Sequence, residues 1–204
     1  MNENDYIHSF YKPPFLVMET LAEEAKKNGF PIIGVQTGRL LQHYASIANA
    51  RRIFEMGSGF GYSALWFVAG MAQTGRIICS DFSTENLQKA EKLFANLHLP
   101  QQVIPRCGNA LEILELYDKF FDIVFIDIDK HWYSDAFDAA WPKVRKGGFL
   151  IADNIFWKGT VFASATGNES TEAIQLFTRR VFNQPDAESV ILPVDDGVLV
   201  AMKK

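Results

Sequence analysis

The chain has 204 residues, 48% of them hydrophobic and 22% charged, the balance of a soluble globular protein long enough to bury a substantial core. A net charge of −4 supplies no global electrostatic footprint for nucleic acid or an anionic membrane. Residues 1–5 lack the basic and apolar regions of a secretory leader, and the longest apolar run, 64–72, is about half of the roughly 20 residues a membrane span needs, so a cytoplasmic protein is expected.

The length favours one domain, 1–204, made of a helical segment over 1–50 and an alternating core over 51–204. Leu16, Val17, Leu21 and Ala25 fall at helical spacing, and Asn28-Gly29 before Pro31 ends that helix. Thr37 is placed to cap a second helix over about 38–49. Strands and helices then alternate: a strand at 51–56, a helix near 62–72, and a strand at 76–80 that ends at Asp81. Ser83 or Thr84 caps a helix whose Leu87, Ala90, Leu93, Phe94 and Leu97 keep the 3.6 period. A strand at 103–107, a helix at 110–116 and a nearly continuous apolar strand at 121–126 follow, the last reading as covered on both faces. Next come a helix over about 133–141, a turn at Lys146-Gly147-Gly148 and a strand at 149–152. A polar loop, 166–170, leads to a helix over 171–182, and Asp195-Asp196-Gly197 separates two final strands, 189–192 and 198–202, as an antiparallel hairpin. The fold class is therefore α/β, with a doubly wound, mostly parallel, seven-stranded sheet. Cys79 and Cys107 lie in apolar strand-like runs without a CxxC partner and read as reduced core cysteines.

The glycine turn Glu55-x-Gly57-x-Gly59-x-Gly61 between the first strand and the next helix allows positive φ and close approach of a ligand to backbone. A dinucleotide fingerprint would need glycine at 62, where Tyr62 stands. Glu55 at the strand tip would repel a pyrophosphate but suits the ammonium and sulfonium charges of S-adenosylmethionine. Asp81, at the next tip, is placed to accept hydrogen bonds from ribose hydroxyls.

A second constellation is Asp127-Ile128-Asp129-Lys130, and a third Asp153-Asn154, one strand-helix-strand unit later. In the strand order 3-2-1-4-5, Glu55, Asp127 and Asp153 gather at the topological switch point. Asp127, Asp153 and the Asn154 amide oxygen would make an all-oxygen site suited to Mg²⁺, Mn²⁺ or Ca²⁺ rather than zinc. His8, His43, His98 and His131 have no ligand spacing. Trp132, Tyr133 and Trp157 are candidate walls of an aromatic acceptor pocket, with core packing as the competing reading.

Residues 55–63 with Leu65, Asp127-x-Asp129-Lys130, Asp153-Asn154 and Leu192-Pro193-x-x-Asp196-Gly197, preceded by Thr37-Gly38-x-Leu40-Leu41, together resemble the cation-dependent O-methyltransferase family of catechol and caffeoyl-coenzyme A enzymes. The resemblance spans about residues 33–203 and implies a Rossmann-like class I methyltransferase fold. It implies that Glu55, Gly57, Ser63 and Asp81 surround the methionine and ribose parts of S-adenosylmethionine, with Ala110 near the adenine. It further implies a metal at Asp127, Asp153 and Asn154, and Lys130 as the base. Relatives are often dimers, which suggests a homodimer. Three departures lie on the cofactor and acceptor sides: Asn109 where many relatives have Asp, His131-Trp132 in place of a more polar pair, and Asp195 in place of a common glycine.

The expected activity is methylation of a hydroxyl on a small vicinal dihydroxy aromatic. Two other readings keep the fold: methylation of a hydroxylated base in transfer RNA, and an S-adenosylmethionine-binding protein without catalysis. Intact Lys130 and the ligand candidates argue against the last.

Overall fold

A computed structural model describes residues 6–7, 9–163 and 167–204. Residues 1–5, His8 and Thr166 of the expected polar loop lie outside the described residues. Seven strands form one sheet: β1 (Arg52–Met56), β2 (Arg76–Asp81), β3 (Gln102–Cys107), β4 (Phe121–Ile126), β5 (Val144–Ala152), β6 (Ala187–Leu192) and β7 (Val198–Lys203). Their order is β3-β2-β1-β4-β5-β7-β6, with the first five parallel and β7 antiparallel to both neighbours. The α/β, mostly parallel reading thus holds, and β1 and β4 adjoin where the winding reverses.

The helices are α1 (Val17–Asn28), α2 (Val35–Ile47), α3 (Tyr62–Gly70), α4 (Thr84–Leu97), α5 (Ala110–Glu115), α6 (Tyr133–Ala140) and α7 (Glu169–Phe182). Strand side chains alternate between faces, so each strand feeds two apolar clusters. Ile53, Ile77, Ile123, Phe125 and Ile151 pack with residues of α1 to α4, whereas Phe54, Val124, Ile126 and Leu150 pack with α5, α6 and α7. Covering both faces explains why β4 reads as continuous apolar sequence. Helix α3 is buried from Tyr62 to Val68 because α2 seals its outer side. A Cβ on Gly70 would lie 2.1 Å from the Gln42 carbonyl oxygen, which shows how closely the two helices approach.

Three expectations need correction. Lys146-Gly147-Gly148 is not a turn ahead of the strand but part of β5, where the pairing with β4 shifts register between Phe121 and Ile123. A bulge absorbs the glycines without ending the strand. Thr37 does not cap α2: it lies inside the helix, whose N-cap is Gly34. Cys107 is exposed, since β3 is the sheet edge, while Cys79 is buried as expected. Of the two caps expected for α4, Ser83 is the one used, accepting the Asn86 N–H.

Candidate active site

The carboxyl ends of β1, β2, β4 and β5 open onto a cavity of about 600 Å³. One half is the glycine turn. The N–H groups of Gly57 and Ser58 both donate to the Ser80 carbonyl at 2.9 and 3.0 Å, folding the turn onto the tip of β2. Gly57 has φ 82°, and a Cβ there would fall 1.9 Å from the Asp127 backbone oxygen. Glycine is therefore required at 57 by the neighbouring strand tip as well as by the backbone conformation. A Cβ on Gly61 would meet the Phe94 ring at 2.7 Å, so this glycine serves the packing of α4 and does not line the cavity.

Asp81 stands at the tip of β2 on the cavity wall. Its Oδ2 accepts the Gly59 N–H at 2.9 Å and its Oδ1 the Ser83 N–H at 2.7 Å, so the carboxylate is aimed by backbone on both sides. Asn109 caps α5 by accepting the Leu111 N–H at 2.9 Å, which sets Ala110 on the cavity wall. Phe82, 74% exposed, offers an apolar ring beside Asp81.

Glu55 lies behind the turn. It has no exposed surface, the Ser63 hydroxyl donates to one carboxylate oxygen, and the other oxygen has no partner. Burial pushes its carboxyl up to about 7, against the lowering effect of the Ser63 hydrogen bond. Glu55 therefore holds Ser63 in place from inside the protein and does not itself line the cavity.

The other half is built on β4 and β5. The Asp127 N–H donates to the Met56 carbonyl at 3.0 Å and the Asp153 N–H to the Ile126 carbonyl at 3.2 Å, continuing the strand ladders one residue past the strands. Between them sits the Lys130 amine, on a residue only 5% exposed. It donates to the Tyr133 hydroxyl at 2.5 Å and the Asn154 Oδ1 at 2.9 Å, and lies 3.4 Å from the Asp127 Oδ1. The Tyr133 hydroxyl passes the chain on to the Asp153 carbonyl at 3.0 Å. Burial lowers the Lys130 pKa, with Asp127 and Asp153 opposing the shift. Asp153 is buried, its Oδ1 has no partner, and burial followed by the charge of Asp127 pushes its carboxyl up to about 7.

Of the residues the sequence singles out, Gly57, Gly59, Ser63, Asp81, Ala110, Asp127, Lys130, Asp153 and Asn154 line one cavity; Glu55 and Gly61 do not. Trp132 and Trp157 also line it, whereas Tyr133 is wholly buried beneath Lys130. One contributor escapes a reading of the sequence: the 30–33 segment, which covers the glycine turn and carries no periodic signal. Asp196, from the β6–β7 turn, also lines the cavity; the sequence shows it in the hairpin turn and in the motif that carries the family resemblance, without a site role.

A doubly wound sheet with a cavity at its switch point, fed by acidic strand tips, defines an α/β enzyme that binds a nucleotide-type cofactor beside its reaction site. The chain belongs to the O-methyltransferase family, whose model matches residues 7–204. It is 29% identical over 187 residues to a catechol O-methyltransferase of Niastella koreensis, covering 86% of this chain and 85% of that one. It is 28% identical over 163 residues to probable caffeoyl-CoA O-methyltransferase 2 of Dictyostelium discoideum, covering 77% and 71%. Its structure superposes on the O-methyltransferase from Bacillus cereus in complex with SAH, with a TM-score of 0.88, 25% identity and coverage of 98% and 96%.

Proposed function

We propose that the cavity binds S-adenosylmethionine in its glycine-turn half and methylates one hydroxyl of a small catechol-like acceptor in its Asp127–Asn154 half, with a divalent cation. The observation that carries this reading is the Lys130 amine, buried between Asp127 and Asn154 at the meeting point of the two halves. The family membership and the SAH bound to the Bacillus cereus relative support the methyl donor, since SAH is S-adenosylhomocysteine, the demethylated product.

Among the described residues no group of three or more His, Cys, Asp or Glu side chains gathers to hold a metal. Two carboxylates and an amide make up the candidate donor set instead, and one structural observation fits it to a hard cation. Asp153 keeps a buried oxygen without a partner beside a second carboxylate, an arrangement that a bound cation would relieve. Asp127, Asp153 and Asn154 would hold Mg²⁺, Mn²⁺ or Ca²⁺, which would supply Lewis-acid polarisation of an acceptor oxygen and lower the pKa of its hydroxyl.

The chain's own residues do the rest. Asp81 accepts from the ribose hydroxyls, held for that purpose by the Gly59 and Ser83 amides. The acceptor hydroxyl gives its proton to Lys130, whose burial favours the neutral amine a base requires. The oxygen then attacks the methyl carbon in line, a C–O bond forms, the C–S bond breaks, and its electron pair stays on sulfur. Trp132 and Trp157 supply aromatic walls for a flat acceptor.

The test is methyl transfer from labelled S-adenosylmethionine to a panel of catechols and to undermodified transfer RNA, with Mg²⁺ or with chelator. Catechol methylation that chelation suppresses at least tenfold and Mg²⁺ restores is expected. Turnover indifferent to chelation removes the cation, transfer to RNA alone replaces the acceptor, and no transfer to either overturns the reading.

A further inference from the structure

The turn between β6 and β7 reaches both walls of the cavity. Asp195 in this turn has φ 48°, a left-handed conformation that non-glycine residues adopt only under strain. Its Oδ2 accepts two hydrogen bonds from a residue 158 positions away: the Thr37 N–H at 2.9 Å and the Thr37 hydroxyl at 2.8 Å. Thr37 has no exposed surface and sits in the first turn of α2, whose N-cap, Gly34, has no side chain to satisfy the free amides. The carboxylate of Asp195 does this from across the molecule and places a negative charge at the positive end of the helix. A side chain at 34 would displace this carboxylate, because a Cβ there would lie 2.2 Å from the Asp195 Oδ2.

The segment this contact secures is part of the cavity. Phe30, Pro31, Ile32 and Ile33 line it, and the Phe30 ring stands 5.1 Å from that of Phe60 and against Gly59, over the glycine turn. Among the described residues, no backbone hydrogen bond holds 31–33 down; Ile33 is anchored by apolar packing, and the backbone of the segment is tied only at its two ends. On the same turn, Asp196 accepts the Lys158 N–H at 2.8 Å through its side chain and the Phe156 N–H at 2.8 Å through its carbonyl, gripping the loop after Asn154.

We infer that Asp195 is a positioning residue for the cofactor half of the site: by clasping Thr37 it holds the 30–34 segment closed over the glycine turn. This rests on the reading of that half as the methyl-donor site. The clasp acts on how well the donor is held rather than on the transfer step: the Asp195 carboxylate hydrogen-bonds Thr37 and not Lys130, Asp127 or Asn154, and only its charge reaches Asp153.

The test compares Asp195→Gly, which removes the carboxylate and also the left-handed strain, with Asp195→Asn, which keeps an acceptor oxygen and tolerates the backbone conformation. Binding of S-adenosylhomocysteine by calorimetry, KM and kcat, and amide hydrogen exchange over 30–37 are measured in the full chain. Asp195→Gly is expected to weaken cofactor binding about tenfold, as loss of hydrogen bonds to a charged group would, and to speed exchange over 30–37. Its kcat at saturating cofactor stays within about twofold, and Asp195→Asn recovers most of the affinity, since the acceptor is restored. Gly34→Ala, which displaces the carboxylate, is expected to reproduce the Asp195→Gly affinity loss. Unchanged affinity and exchange in Asp195→Gly overturn the inference, as does a fall in kcat with no rescue by Asn. A wild-type chain that binds no cofactor overturns the donor-site reading itself, a result distinct from a wild type that binds and an Asp195→Gly variant that binds equally well.

Discussion

Glu55 shows how a residue can be conspicuous in sequence and yet work out of sight. Its acidity at a strand tip suggests a contact with the cationic methyl donor, but the two-residue alternation of β1 puts position 55 on the face of Ile53, beneath α3 and against Ser63. That placement is legible from alternation together with a serine in the following helix; the burial is not, because it depends on α3 being sealed from outside by α2. The consequence is measurable. The folded-state carboxyl titrates at about 7 against an ordinary 4.5, so the folded protein holds this proton more tightly than the unfolded chain. Stability falls as pH rises from about 4.5 to 7, by on the order of 3 kcal/mol from this group alone. Urea unfolding at pH 5 and pH 8 is expected to show a smaller pH-dependent loss in Glu55→Gln than in wild type; equal losses would remove Glu55 as the source.

Among the elements, the periodic ones are the most readable. All seven strands and the helices of the alternating core follow from hydrophobic patterning and turn residues, with ends close to those observed except at β5, which begins at Val144, ahead of the expected turn. What patterning does not reveal is contact between elements. The Thr37 placement fails because the group that satisfies α2 comes from a turn far along the chain, and the β5 bulge is hidden because two glycines in sequence look like a stop. The glycine turn has the same non-local character. Gly57→Ala would combine a left-handed backbone with a methyl group driven into the Asp127 carbonyl, a backbone atom that cannot swing away. A loss of about 3 kcal/mol or more is expected from chemical denaturation. A loss under about 1 kcal/mol would mean that the β1 and β4 tips are less tightly apposed.

At the scale of the molecule, strand order decides which residues meet. Asp127 and Asp153 come together because β4 and β5 are parallel neighbours, and both meet the glycine turn because β1 lies on the other side of β4. This is readable from the alternation of elements, whereas the family is readable only from the resemblance of the motifs at 55–65, 127–130, 153–154 and 192–197. The cover contributed by 30–33 is not, since nothing local marks a connecting segment as a wall. Among the described residues no helix is long and apolar enough to cross a membrane. A cavity with walls from the helical segment, the parallel core and the hairpin makes cofactor occupancy a property of the whole fold. S-adenosylhomocysteine at a hundred times its Kd is expected to stabilise the protein by about 2.7 kcal/mol, raising Tm by about 5–10 °C. No shift in Tm would argue against a preformed donor site.

The adjacency of β1 and β4 also acts as a ruler. The tip that carries the glycine turn and the tip that carries Asp127 are hydrogen-bonded neighbours, with Gly57 in contact with the Asp127 backbone. Their separation is set by the spacing between paired strands, about 4.8 Å, a length that side-chain substitution does not change. The walls around Trp132, Trp157 and the 30–33 segment are free of that constraint. If the proposed function holds, substitutions in those walls would change the choice of acceptor without moving the β1 and β4 tips apart.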